Sequence, residues 1–280
     1  MAEIKHITKF DIYPNVILDF FHLEESSLDN RNIFENSYIP TLNTNTRGLV
    51  TFDDGIHWTT YTDEAMGNTF SIYREDNQSG IINKVVSISN GNLGTNDYNI
   101  ANHNEYRYYI YQDEDNRSSL PNISRILTTT WQEWSITDIK RDEDIPTLFH
   151  ADVQNIWKLY LNLDSGTLTN NINKTVYANL TRYPKISLGK QNYASGQITC
   201  LLGEISNEEY TEWAGMREQW VNFCNNGNLK LLKDIRGNKY LVDIVDTPTF
   251  ETMDETVQQA TTISFNWVEV GDTNKIAVIE

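Results

Sequence analysis

Short runs in which apolar and polar residues alternate constrain the fold of this 280-residue chain more than any other feature. In the run 156–163 (IWKLYLNL), one of the two faces carries only Trp157, Leu159, Leu161 and Leu163. A period of two residues places successive side chains on opposite faces of a β-strand. Comparable runs recur along the chain with turn residues between them, so the sequence predicts a mostly β protein.

Residues 1–112 carry the pattern of an antiparallel β-sandwich, which we predict as the first of two domains. Strand-length runs lie at 16–23, 48–53, 56–61, 69–74, 81–88 and 97–111, and turn residues lie at 54–55 and 78–80. Strands that recur with turn signals between them are typical of this architecture. Residues 113–121 are polar and end in proline, which predicts a linker. The acidic cluster 113–115 lacks the ligand spacing and glycine of an EF-hand loop, so we interpret it as part of that linker.

Residues 122–280 predict an α+β domain that is rich in strands and has one main helix. Its strand-length runs lie at 156–163, 175–180, 186–188, 197–202, 229–235, 239–245 and 262–270. We predict the helix at about 207–224, because Ser206 and Glu209 have the spacing of a capping box and apolar residues then recur at helical intervals. The segment 225–227 (NNG) predicts where the helix ends. We interpret the apolar stripe of this helix as the face that packs on the sheet.

Charge and hydropathy exclude two classes of partner. The chain carries 39 acidic and 22 basic side chains, a net charge of −17, whereas a nucleic-acid or anionic-membrane binder needs a basic face. Its apolar runs are too short for a membrane span, and the first residues lack the apolar core of a secretory signal. We therefore expect synthesis in a cytoplasm, where Cys200 and Cys224 are predicted to be buried free thiols rather than a disulfide.

Sequence motifs for catalysis or for cofactor binding are missing from the chain. The five histidines form no HExxH or HxH pattern, and no GxSxG, P-loop or GxGxxG occurs. We expect a protein that is not an enzyme, has no catalytic residues, binds no cofactor and holds no metal ion. Trp131, Trp134, Trp157 and the tyrosine-rich run 106–111 are interpreted as core residues, with sugar stacking as the alternative.

The segment that ends the first half resembles part of a fibronectin type III domain. Ile100 followed by Tyr106, Tyr108 and Ile110 resembles the corner of that fold, and 69–74 (TFSIYR) resembles one of its earlier strands. The resemblance covers about residues 12–112 and implies a sandwich in which a tyrosine hydroxyl ties down the preceding corner. An unrelated antiparallel sandwich is the alternative.

Three segments of the second half resemble tail and baseplate structural proteins of phages and prophages of Gram-positive, low-GC bacteria. They are 157–205 (from WKLYLNLDSG to GQITCLLGEI), 220–249 (WVNFCNNGNLKLLKDIRGNKYLVDIVDTPT) and 262–272 (TISFNWVEVGD). The resemblance implies a structural virion component, made in the host bacterial cytoplasm, that assembles with other phage tail or baseplate proteins and supports host attachment. It also implies a homo-oligomer, a trimer or a hexamer. A carbohydrate- or cell-surface-binding module, in the role of a receptor-binding adhesin, is the alternative function.

The hairpin 229–245 and the closing strand 262–270 are the predicted assembly surfaces, because strands of such proteins pair between subunits. The possible interface residues are Leu229, Leu231, Tyr240, Val242, Phe265, Trp267, Ile276 and Val278. The last apolar run, 276–279, either adds a strand to a neighbouring subunit or folds back on its own domain.

Overall fold

A computed structural model describes the following residues: 16–19, 48–51, 69–89, 94–114, 117–118, 122–123, 126–129, 131, 133–164, 168–177, 185–206, 209–212, 215–252 and 260–279. In chain order the strands are β1 (Val16–Asp19), β2 (Gly48–Thr51), β3 (Thr69–Asp76), β4 (Ile81–Ser89), β5 (Gly94–Asp97), β6 (Glu105–Glu114), β7 (Arg117–Ser118), β8 (Asn122–Ile123), β9 (Leu127–Thr128) and β10 (Trp134–Arg141). They continue as β11 (Leu148–Asp164), β12 (Thr169–Tyr177), β13 (Lys185–Leu202), β14 (Glu204–Ser206), β15 (Glu209–Thr211), β16 (Leu229–Lys233), β17 (Lys239–Ile244), β18 (Thr249–Thr252), β19 (Thr261–Gly271) and β20 (Ala277–Ile279). The helix α1 (Met216–Asn225) and a short 3-10 helix (Thr273–Lys275) complete the described elements. The mostly β fold class is confirmed, whereas the predicted strand 56–61 lies outside the described residues.

Six strands of the second half form a closed antiparallel barrel. Their order is β13, β19, β17, β16, β10 and β11, and β11 closes the ring by pairing with β13 again. Closure removes open edges wherever neighbouring strands of the ring stay paired. The alternation that predicts these strands also decides which side chains point inward, because neighbouring residues face opposite sides of the wall.

The barrel interior is a single apolar core to which α1 contributes. Trp220 of this helix is fully buried and meets Trp157 of β11 edge to face, with 5.0 Å between ring centroids. Its ring also stacks on Phe223 at 5.1 Å and lies 5.4 Å from Phe265 of β19. Offset and edge-to-face aromatic pairs add stability beyond the burial of their area. The apolar face of α1 therefore packs against the strands, as the stripe predicts.

The helix begins later than the sequence predicts. The predicted start near residue 207 is wrong, because β14 and β15 pair there as a two-stranded hairpin with Ser206 opposite Glu209. The helix starts only after Gly215, whose φ of 88° cannot continue inside a right-handed helix. Its end after Asn225 agrees with the prediction, since Gly227 follows at φ 77°.

The hairpin that follows the helix agrees with the sequence. β16 and β17 pair across a loop that the Asp234 carboxylate organises, since its Oδ1 accepts hydrogen bonds from the backbone N–H groups of Arg236 (2.8 Å) and Asn238 (2.7 Å). The predicted closing strand is β19, and the predicted strands 186–188 and 197–202 are parts of one long strand, β13. The first part of β13 pairs with β12 and its last part pairs with β19 and β11, so one continuous strand replaces the two predicted ones.

The strands β3, β4 and β6 to β9, which lie between residues 69 and 128, form a six-stranded sheet. Next to this sheet, the hydroxyl of Tyr106 accepts a hydrogen bond from the backbone N–H of Ala101 at 2.7 Å. The Asn104 amide also donates to that hydroxyl, at 3.1 Å. The tyrosine thus holds the preceding corner through a contact of the kind that the resemblance implies. A fibronectin type III arrangement of the strands stays a prediction.

Strand pairing crosses the predicted linker at 113–121. β8 and β9 follow it in sequence but pair with β6, and β20 at the end of the described chain pairs with both β11 and β5. The last apolar run therefore folds back on its own chain rather than projecting as a free strand. The two halves therefore share one sheet. The division of the chain into two domains stays a prediction.

Candidate functional site

The eight residues predicted as an assembly interface lie in the chain's own cores. Five of them are at most 2% exposed: Leu231, Val242, Phe265, Trp267 and Val278. The other three, Leu229, Tyr240 and Ile276, are partly buried and pack against the same cores. A buried side chain cannot contact a partner without unfolding its own core, so the first five have a packing role, and the other three keep only part of their surface free for a partner. Apolar alternation marks buried faces of both kinds, and sequence alone does not distinguish a core from an interface. Assembly through this part of the chain stays a prediction.

Five of the aromatic residues considered for sugar stacking lie in a core or pack against one. Trp131 is 5% exposed, and Tyr106 and Tyr108 are completely buried. Trp134 and Trp157 are partly buried and pack against the barrel core. The core interpretation is therefore confirmed for Trp131, Tyr106 and Tyr108, and Trp134 and Trp157 add to the core from partly buried positions.

A network of buried polar groups connects the two halves. The Arg74 guanidinium donates to both oxygens of Asp97, at 2.9 and 2.6 Å, and the Tyr108 hydroxyl donates to the same carboxylate at 3.0 Å. Nearby, the Lys239 ammonium donates to the backbone and side-chain oxygens of Asn99, each at 3.0 Å. Burial, followed by the charge of Arg74, lowers the pKa of Lys239 to about 7. We call this set of residues, together with the buried Lys233, the junction cluster.

Hydrogen bonds at and beside the junction cluster connect side chains of the first half to the backbone of the second. The Asn99 amide donates to the backbone oxygens of Thr273 (2.8 Å) and Ile276 (2.6 Å), which belong to the last turn before β20. The Asn102 amide likewise donates to the backbone oxygens of Trp131 (2.9 Å) and Ile235 (2.8 Å). These hydrogen bonds satisfy buried carbonyl groups of one half with side chains of the other. The cluster therefore fixes how the halves pack.

A second buried ion pair holds the end of α1. The Lys230 ammonium lies 3.1 Å from Asp138 Oδ1, and both side chains are at most 2% exposed. The same ammonium donates to Asn226 Oδ1 at 2.8 Å and to the Asn228 carbonyl at 2.7 Å. Because the amide of Asn226 also donates to Asp138, at 2.6 Å, the pair anchors the helix end to the barrel wall. The charged groups of this pair bind each other and neighbouring protein atoms, so we interpret the pair as structural.

The wall of the barrel opens where β13 and β19 separate. Their pairing runs from Leu202 opposite Thr261 to Ser195 opposite Val268 and ends there. Beyond that point, residues 192–194 pair with β12 alone. The backbone N–H of Ala194 donates to a side chain, Glu269 Oε2 at 2.8 Å, instead of to a strand. The two strands thus leave a gap between them at this end of the barrel.

A β-bulge lies in the same place. On the other side of β19, Val242 of β17 is opposite Glu269 and the next residue, Leu241, is opposite Gly271. The residue between them, Val270, is skipped, so it has no opposite residue on β17 or β13 within the described part of the chain. Bulges of this kind twist a strand, redirect its side chains and are common beside functional sites. Val270 is 50% exposed.

The gap and the bulge border a surface cavity of about 640 Å³. Its lining residues are Asn192, Tyr193, Val268, Glu269, Val270, Gly271 and Asp272, and we call it the split groove. Tyr193 is 40% exposed there, and Ile172 and Leu168 of the neighbouring hairpin are 54% and 50% exposed. Among the described residues, large apolar side chains are also exposed elsewhere, but here they lie beside a strand edge that no described strand covers.

Two carboxylates give the split groove a negative charge. One oxygen of Glu269 accepts from Ala194, as above, and Asp272 Oδ1 accepts from the backbone N–H of Asn274 at 2.9 Å. Asp272 contacts Lys275 at 3.6 Å, and the lysine side chain is 81% exposed, whereas the partly buried Lys239 lies close enough for the Asp272 charge to act on its pKa. An exposed pair of this kind contributes little energy and rearranges easily. The groove therefore combines apolar surface, open backbone and acidic charge.

Sequence reasoning missed the split groove. Val268 to Val270 lie within the predicted closing strand, but nothing in the alternation indicates that Val270 is a bulge. The segment 271–272 (GD) after that strand is a turn signal, and it was the sole local sign that pairing ends here.

The described residues contain neither a metal-binding group of side chains nor a disulfide. No cluster of three or more histidine, cysteine, aspartate or glutamate side chains suited to a metal ion occurs among those residues. His150 contacts Asp142 at 2.9 Å, His103 is exposed, and the other three histidines fall outside the described ranges. Cys200 and Cys224 are buried free thiols, which confirms that prediction.

Comparisons with known proteins return no relative that defines a family for this chain. No protein-family model matches the sequence, and no curated protein matches it significantly. No helix among the residues described here is both long and apolar enough to cross a membrane. Function must therefore be inferred from the residues and their geometry.

Proposed function

We propose that this chain is a non-enzymatic structural component of a bacteriophage tail or baseplate, where it assembles with other tail proteins and supports host attachment. The split groove is the observation that carries the proposal, because it offers an open strand edge, a bulge and exposed apolar side chains at one site. Proteins commonly use such edges to pair with a strand of a partner. The resemblance of 157–205, 220–249 and 262–272 to tail and baseplate proteins supplies the biological setting.

The internal construction supports a mechanical role. The barrel is closed, its core includes a helix, and two buried ion pairs fix the helix end and the junction between the halves. Removing one partner of a buried ion pair costs about 3–5 kcal/mol, so such pairs hold elements in one arrangement. A part of a large assembly has to keep its shape while its neighbours are added.

Mass spectrometry of purified phage particles tests the proposal. Particles released from a host strain that expresses this chain should contain it in a fixed ratio to the major tail protein, and labelled antibodies should mark one end of the tail. Absence of the chain from intact particles, while it is abundant in the lysate, would contradict the proposal.

Solution mass adds a second measurement. Light scattering on the purified chain should give a multiple of 32.4 kDa, and a trimer or hexamer would agree with closed symmetry. A monomer would mean that the chain assembles only together with a partner protein.

A carbohydrate- or cell-surface-binding module is the second candidate, and Tyr193 is the observation that favours it. This tyrosine is 40% exposed and has Asn192, Glu269 and Asp272 beside it, a combination of aromatic face and polar groups that suits a sugar. Purified chain should then sediment with host cell walls, and Tyr193→Ala should abolish this while Tyr73→Ala should not. Equal sedimentation of the two variants would argue against this candidate.

A further inference from the structure

We propose that the split groove binds an extended, basic segment of a partner protein, which adds to β19 as an extra strand. This inference rests on the proposed function and deepens it, because it names the chemistry of the partner. It follows from three independent features of the groove: where strand pairing ends, which apolar side chains are exposed, and which charges are present.

The first feature is the shape of the backbone, which calls for an extended chain. β13 leaves β19 after Ser195 and Val268, and Val270 is bulged away from β17. A strand that enters the gap would meet backbone groups of β19 that no described strand pairs with. Backbone hydrogen bonds then provide affinity without regard to sequence, which is how strand addition works. A helix, whose backbone groups are already paired internally, would gain none of these bonds.

The second feature is the alternation of the groove surface. Exposed Tyr193 and Val270 provide apolar contacts, whereas Glu269 and Asp272 provide acidic ones. Successive side chains of an added strand point to opposite faces, so a partner with alternating apolar and polar residues matches such a site. The apolar side chains would cover Val270 and Tyr193, and the residues between them would face the carboxylates or solvent.

The third feature is charge, which selects a basic segment over an acidic one. The groove holds two carboxylates against one exposed lysine, Lys275, and the whole chain carries a charge of −17. A lysine or arginine of the partner would be attracted to this field at long range and would pair with Glu269 or Asp272 on docking. An acidic segment would be repelled both at long range and on docking.

The test uses the full-length chain and a short synthetic peptide of alternating lysine and valine, blocked at both ends and labelled with a fluorophore. Fluorescence anisotropy should show saturable binding with a dissociation constant on the order of 100 µM, because a short strand buries a small area. Three analogues probe each feature separately: glutamate in place of lysine, alternate backbone amides N-methylated, and a helix-forming peptide of the same charge. Each analogue should bind at least about tenfold more weakly.

Two matched double variants locate the site. Glu269→Gln with Asp272→Asn keeps the side-chain oxygens that accept from Ala194 and Asn274 but removes two charges, and it should weaken binding by about tenfold or more. Glu218→Gln with Glu251→Gln removes the same charge from exposed positions on α1 and β18, at the other end of β19, and should leave binding unchanged. Hydrogen exchange should slow at 192–194 and 268–271 when the peptide is bound.

Three outcomes would overturn the inference. They are no binding of the lysine–valine peptide, equal binding of its glutamate analogue, or an equal loss of binding in both double variants. Self-association of the chain that Glu269→Gln with Asp272→Asn abolishes, without peptide binding, would assign the groove to a second copy instead. Failure of the proposed function is separate: a chain that binds the peptide but is missing from particles keeps its groove and loses its tail role.

Discussion

At the scale of single residues, Tyr106 shows how one hydroxyl holds a backbone corner. Tyr106→Phe removes the acceptor for the buried N–H of Ala101, and an unsatisfied buried donor costs about 1–3 kcal/mol. Tyr109→Phe is the matched control, since Tyr109 is more exposed and solvent can replace its hydrogen bond to Glu75. Urea denaturation should show the first loss and a change below about 0.5 kcal/mol for the second. A loss below about 0.5 kcal/mol in Tyr106→Phe would mean that the corner contact adds little stability.

The two thiols give a second prediction at this scale. Burial raises the pKa of Cys200 to about 12 and that of Cys224 to about 12, so neither is ionised at pH 8. The native chain should therefore react with Ellman's reagent only on the time scale of unfolding, and both thiols should react at once in guanidinium chloride. The variants Cys200→Ser and Cys224→Ser assign the two signals. Rapid reaction of a native thiol would show that the core opens locally.

At the scale of elements, some were predictable because their signal is local. The alternation of 262–270 and the turn residues of 229–245 predict β16, β17 and β19, since neighbouring residues alone decide which side chains share a face. The start of α1 was not predictable in this way. Ser206 and Glu209 fit a capping box and also fit the ends of a tight hairpin, and packing of the chain decides between them.

The loop between β16 and β17 gives a prediction at this scale, because it connects the barrel to the first half. Gly237 has a φ of 93°, and a Cβ there would lie 2.7 Å from the carbonyl oxygen of Asn102. Gly237→Ala should therefore combine backbone strain with a clash at the junction, whereas Gly227→Ala, at φ 77° with open space around it, should show the strain alone. Thermal denaturation should rank Gly237→Ala below Gly227→Ala by at least about 1 kcal/mol. Equal stability of the two would show that the loop yields to the clash at no cost.

At the scale of the whole molecule, two features escape prediction from sequence because they depend on distant strands. The split groove exists because β13 leaves β19 while β17 skips Val270, and no single strand records the register of the other two. The junction cluster brings Arg74, Asp97 and Lys239 together across more than half of the chain. Nothing in the sequence distinguishes these three residues from charged residues on a solvent-exposed surface. Apolar patterns predict which residues are buried, whereas the partners of buried charges follow from tertiary structure.

The junction cluster also sets how stability depends on pH. Burial lowers the pKa of Lys239 to about 7 and holds that of Lys233 well below its ordinary value, whereas both rise to about 10.4 on unfolding. Above pH 7 the unfolded chain therefore binds more protons than the folded one, and the free energy of unfolding should rise with pH, by at most about 1.4 kcal/mol per pH unit for each lysine. Urea denaturation between pH 7.5 and pH 9 should show this rise. Lys239→Met should make the rise less steep, leaving the contribution of Lys233, and Lys275→Met, at an exposed position, should not change it. Above about pH 10 the trend should reverse, because burial raises the pKa of Tyr106 and Tyr108 and the folded chain then retains protons that the unfolded chain has lost. A stability that stays level or falls from pH 7.5 to pH 9 would mean that these lysines remain charged in the folded chain.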